Sequence, residues 1–272
     1  AGENGTIDIC DNIGTIDLFD SLGGTPDLGG VWTPALNSGT SIFDPLIDTA
    51  GIYTYSFTGN DPCPNESATI TVSVVPLPIA GSNATLTICS NDLATVDLFD
   101  SLGGTPQVGG TWSPALASNT GVFDPSIDTP GVYTYTLAGT PPCTDVTAEV
   151  NVIIIQEPDA GENATINLCS NNGIIDLFDT LEGTPEIGGT WTPSLSSGTG
   201  LFDPLVDPIG TYTYTVTGTD PCADATATVT ISITPFQNAG LDGSINLCSN
   251  GGTVDLFDSL GGSPEVGGVW TA

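Results

Sequence analysis

Reactive chemistry in this 272-residue chain falls to seven cysteines and 32 carboxylates, because Lys, Arg and His are all absent. Cys10, Cys63, Cys89, Cys143, Cys169 and Cys222 fall into pairs 53, 54 and 53 residues apart, with Cys248 left over. No CxxC spacing and no His accompanies any of them, so disulfides are favoured over metal-bound thiolates. The expected pairs are Cys10–Cys63, Cys89–Cys143 and Cys169–Cys222, with Cys248 joined to a cysteine beyond the fragment. Such pairing implies an oxidising, extracytoplasmic setting.

Among the carboxylates, Asp44 with Asp48, Asp124 with Asp128 and Asp203 with Asp207 recur as FDPxxD on a turn. An acidic surface outside the cell makes calcium the one cofactor to consider there. The competing reading is that Asp-Pro opens a turn. Hydroxyls recur as well: Ser21, Ser101, Thr180 and Ser259 each follow Asp and precede Leu, and Thr49 stands in Asp48-Thr49-Ala50. They are candidate O-glycosylation acceptors, or polar groups that satisfy a turn. Asn4, Asn65, Asn83 and Asn163 open N-x-[ST] triplets without marking every unit, so chance accounts for them. The carboxylates Asp17 and Asp20 suit a glycosidase in type, but an active site is seldom stamped into every unit of an array. No catalytic residue is assigned, and the chain is not expected to be an enzyme.

These groups are positioned by a repeat. Trp32, Trp112, Trp191 and Trp270 are spaced 80, 79 and 79 residues apart, and Thr253 to Thr271 matches Thr15 to Thr33 at 15 of 19 positions. The period predicts units at 1–79, 80–159 and 160–238, with 239–272 the first part of a fourth in a chain that continues further. Within the first unit, short apolar alternations predict strands at Thr6–Cys10, Thr15–Phe19, Val31–Thr33, Ser41–Phe43, Gly51–Thr58 and Ala68–Val75. On Gly51–Thr58, Tyr53, Tyr55 and Phe57 take one face. The Gly- and Pro-rich stretch Asp20–Gly30 reads as irregular. No helical period is present, so the fold class is all-β: a tandem array of small immunoglobulin-like antiparallel β-sandwiches forming an elongated rod on short Pro-containing joins.

Charged residues make up 12% of the chain, all of them acidic, for a net charge of −32. Without cations there is nothing to neutralise phosphate, which excludes nucleic acid and anionic membrane surfaces as partners. The 39% apolar content marks a folded chain instead of a disordered acidic tail. No apolar run is long enough to insert in a membrane. Trypsin-like proteases find nothing to cut.

The unit Cys, DLFDSLGG, GGxWxP, FDP, GxYTYT, PC, then a Thr/Val strand, resembles the tandem immunoglobulin-like repeats of giant Bacteroidota surface proteins. These include the SprB-type gliding-motility adhesins exported by the type IX system. The resemblance implies an extracellular stalk or filament at a bacterial cell surface, serving gliding motility or attachment, with neighbouring repeats, surface polysaccharide or motility machinery as partners. It also implies that O-glycosylation in that group's Asp-hydroxyl-aliphatic style falls at Ser21, Thr49, Ser101, Thr180 and Ser259. A multivalent glycan-binding array and a self-associating sheath fibre are the alternatives. Burial of Trp32 and Tyr53 would deprive the glycan-binding reading of its stacking platform.

Overall fold

The computed structural model describes residues 1–271; Ala272, the last residue of the expected 239–272 segment, lies outside the described residues. Two compact units are present, Ala1–Ile155 and Gln156–Ala272. The first unit holds two sandwiches. In one, the strands are β1 (Gly5–Cys10), β2 (Ile16–Asp17), β3 (Val31–Thr33), β4 (Ile42–Phe43), β5 (Gly51–Phe57) and β6 (Glu66–Val75). In the next they are β7 (Ala84–Cys89), β8 (Val96–Asp97), β9 (Thr111–Ser113), β10 (Val122–Phe123), β11 (Gly131–Leu137) and β12 (Val146–Ile155). The second unit repeats the set as β13 (Ala164–Cys169), β14 (Ile175–Asp176), β15 (Thr190–Thr192), β16 (Leu201–Phe202), β17 (Gly210–Val216) and β18 (Ala225–Thr234).

Each sandwich has one four-stranded sheet, ordered β1-β6-β5-β3 in the first, and a two-stranded sheet, β2-β4, opposite. Placing the third, fifth and sixth strands together and the second and fourth apart from them is the immunoglobulin partition. The expected all-antiparallel pairing fails at the same place in every sandwich: β1 runs parallel to β6, with Ile7 opposite Val72 and Cys10 opposite Val75, as do β7 to β12 and β13 to β18. Alternation fixes which face of a strand is buried but not the direction of its partner. Each core is built from its own repeat. The first gathers Ile9, Leu18, Trp32, Phe43, Tyr53, Tyr55 and Ile70, all below 9% exposure.

The strand expected over Thr15–Phe19 is cut short. Asp17 Oδ1 accepts the Phe19 N–H at 2.9 Å and starts a single helical turn, Phe19–Ser21. Equivalent bonds from Asp97, Asp176 and Asp255 open the same turn in the other copies. In the second repeat this bond makes Asp97 the N-cap of the turn, and on either side of the turn in the first repeat Leu18 and Leu22 are buried in the core.

The cysteine pairing expected from spacing is corrected by the structure. Cys10 is bonded to Cys143, 133 residues away, in place of Cys63. Cys89–Cys143 is thereby excluded, and so is Cys169–Cys222: Cys222 is disulfide-bonded, as is Cys89, whereas Cys63, Cys169 and Cys248 are free and exposed. The reason lies in β6. Cys63 sits in the loop that enters this ten-residue strand, and Cys10 lies beside Val75 at its far end. The strand holds them about 30 Å apart at ~3.3 Å per residue, far beyond disulfide reach. The loop of the following repeat instead meets that far end, where the Cys143 sulfur lies 3.3 Å from the Val75 carbonyl oxygen.

Residues 239–271 keep the local features and lose the sheet. The turn Phe257–Ser259 and the bridge between Leu241 and Gly261 are formed. No named strand forms among the described residues there; Leu247 is 60% and Trp270 58% exposed, against 8% for Trp32. A first strand needs a sixth strand to pair with, and none is present in this stretch.

Candidate functional site

The same surface groove recurs in all three sandwiches. In the first it is lined by Asp17, Phe19, Gly30, Trp32, Thr40 and Tyr55, among others, around about 430 Å³. Its counterparts around Trp112 and Trp191 enclose about 410 and 400 Å³. Tyr55 supplies its back wall. The Tyr55 hydroxyl donates to the Asp27 carbonyl at 2.8 Å and accepts the Gly30 N–H at 2.9 Å. Gly30 has to be glycine, because a Cβ there would fall 2.7 Å from the tyrosine ring. Trp32 packs on Tyr55 with centroids 5.0 Å apart, and Phe19 meets it edge-on at 5.5 Å.

The Tyr55 end of this trio stands where antibody domains carry one half of their core disulfide. Tyr53 opens β5 and donates its hydroxyl to the Thr49 carbonyl four residues upstream, at 2.8 Å, as a corner tyrosine does. Tyr55, two residues on, occupies the position that such domains give to cysteine. Trp32 and Tyr53 are both buried, at 8% and 3% exposure. In the first repeat these faces are spent on the core, and Trp112 and Trp191 are half-buried against theirs, so the three sandwiches offer the glycan-binding reading no fully exposed stacking platform.

The FDPxxD carboxylates staple two turns. Asp48 Oδ1 accepts the backbone N–H of Asn37 at 2.9 Å and its side-chain amide at 2.7 Å, while Oδ2 accepts the Asp44 N–H at 2.9 Å. Asp44 Oδ1 receives the Leu46 N–H. Asp128 and Asp207 hold the N–H groups of Ala117 and Asp124, and of Ser196 and Asp203, in the same way. Burial pushes the Asp48 carboxyl up, but the Asn37 and Asp44 donors outweigh it and hold the group below its usual value. Asp207 is lowered by the same balance, with Asp203 and Ser196 as donors. Burial, and then the neighbouring Asp48 charge, push Tyr53 up. Among the described residues no three Asp, Glu, Cys or His side chains converge as a metal site.

The candidate acceptor hydroxyls are placed unevenly. Ser21, Ser101, Thr180 and Ser259 are half-buried at the end of the helical turn, whereas Thr49 is exposed. Thr180 donates its hydroxyl to the Leu177 carbonyl at 2.7 Å. The asparagines have a role that spacing alone did not reveal. Asn4, Asn83 and Asn163 occupy equivalent positions and accept the N–H of Thr69, Glu149 and Thr228, tying each repeat's entry to its last strand. Asn65 accepts the Gly59 N–H, as Asp145 and Asp224 do for Gly139 and Gly218.

No helix among the described residues is long and apolar enough to cross a membrane. No protein-family model and no curated protein matches the chain. Among solved structures, the I-band fragment I67-I69 from titin is similar over 85% of this chain and 97% of its own, at 14% identity and a TM-score of 0.38. Drosophila OTK extracellular domains 3-5 match over 86% and 95%, at 14% identity and 0.34. Sidekick-1 immunoglobulin domains 1-4 match over 86% and 74%, at 13% identity and 0.31. These scores lie below those of a shared global arrangement, and the sandwich assignment rests on the strand order of each repeat.

Proposed function

We propose that the chain is a segment of an extracellular stalk or filament on a bacterial surface, holding an adhesive element away from the cell for attachment or gliding. The observation that supports this best is that the recurring polar and aromatic groups serve architecture: tyrosine corners, carboxylate staples and asparagine ties, repeated from unit to unit. The acidic surface, free of Lys and Arg, suits exposure to trypsin-like proteases. Glycosylation at Thr49, the exposed acceptor, and at Ser21, Ser101, Thr180 and Ser259 belongs to the same reading. Antibody labelling of intact cells, with electron microscopy of a strain lacking one repeat, tests it. Surface label and shortened filaments are expected; label found only after lysis would overturn the proposal.

A second reading, lateral self-association into a sheath, has its own support. Leu28, Val108 and Ile187, at equivalent positions on the groove rim, are 83%, 80% and 87% exposed. Sedimentation of the chain with and without calcium and chelator tests it. A monomer under every condition would remove both the sheath and the cation from the account.

A further inference from the structure

We propose that the Cys10–Cys143 bond gives the junction between the first two repeats a second covalent route, so that the tether stays continuous when its backbone is cut or its first sandwich is pulled open. This deepens the stalk reading and rests on it.

The join Pro76–Ile79 is the thin point of the first unit. It is held from both sides: the Leu77 N–H donates to Asp11 Oδ1 at 3.0 Å, and Ile79 exchanges bonds with Gln107, its N–H to Oε1 at 3.1 Å and its carbonyl to the Gln107 N–H at 2.8 Å. The disulfide sits over this join, with Cys10 at 0% and Cys143 at 6% exposure. Pairing within a repeat would close loops that leave the join outside them. The observed bond closes a loop that contains the join and most of both sandwiches. A load entering at Ala1 passes from Cys10 to Cys143 without loading residues 11–142. About 450 Å of contour, at ~3.4 Å per residue over 133 residues, stays out of the load path. Only an external thiol reductant, oxidised as it returns the bond to two thiols, releases that length, and the burial of both sulfurs keeps such a reductant out of the folded junction.

The absence of Lys and Arg supplies a clean test. A Pro64→Arg variant of the whole chain has a single trypsin site, in the exposed loop after Cys63. Ile79→Arg places a single site in the join itself. After digestion, denaturing electrophoresis without reductant should show one full-length band for both variants, resolved by reductant into residues 1–64 plus 65–272, or 1–79 plus 80–272. Two separate pieces without reductant would overturn the proposal, since pairing of Cys10 with Cys63 gives that result for both variants. The test is made on purified chain. Its failure leaves the stalk reading standing, and loss of surface label leaves the covalent route standing.

Discussion

Asp48 shows how one carboxylate is made structural. Three N–H donors from two turns converge on this buried carboxylate, so removing it leaves all three without their partner. Asp48→Ala should destabilise the first sandwich by about 1–3 kcal/mol, read as a lower denaturant midpoint. The pH dependence follows from the lowered folded values of Asp48 and Asp207. Their contribution is complete above the unfolded carboxyl value near 3.8 and is lost as pH falls through the lower folded value. Melting temperature should hold from about pH 7 to 5 and drop below about pH 4. A double Asp48→Asn, Asp207→Asn variant should show a shallower drop; an acid profile identical to wild type would refute the assignment.

At the scale of elements, the aromatic wall is the part to challenge. Tyr55 joins β5 to the loop before β3 through its hydroxyl and covers Trp32 with its ring. Tyr55→Phe keeps the ring and should cost about 1–2 kcal/mol, the value of a buried hydrogen bond left half made. Gly30→Ala drives a methyl into that ring and into the Ser56 carbonyl, so a loss of about 1–3 kcal/mol is expected, with the near-ultraviolet dichroism of the Trp–Tyr pair reduced. An unchanged spectrum would mean that the ring does not depend on the glycine. Much of this was legible in order: the alternation of Tyr53, Tyr55 and Phe57 marked their buried face. The turn Phe19–Ser21 was not, because a three-residue helix leaves no period. The Asp17 side chain two residues ahead of Phe19, which accepts its N–H, was the available signal.

At the scale of the whole molecule, the disulfide couples repeats that are otherwise separate cores. Closing a loop of 133 residues should stabilise the first unit by about 4–5 kcal/mol on a chain-entropy argument. A Cys10→Ser, Cys143→Ser variant, which leaves the bonded Cys89 and Cys222 in place, should therefore unfold at a lower midpoint and separate one coupled transition of the first two repeats into two. A midpoint equal to wild type would show that the bond contributes little.

The contrast between the repeats and residues 239–271 separates what local sequence can do from what it cannot. DLFDSL folds its turn in the incomplete copy as in the others, since its hydrogen bonds lie within a few residues. The period, the all-β class and the buried tyrosine face were likewise determined by the sequence alone, because periodicity acts residue by residue. Cysteine pairing was decided only in three dimensions. Spacing counts residues along the chain, whereas a disulfide forms where two strand ends meet; β6 carries its two ends apart and brings the next repeat's loop to Cys10. The aromatic faces were also settled there, by packing that turned Trp32 inward and left the carboxylates to hold turns together.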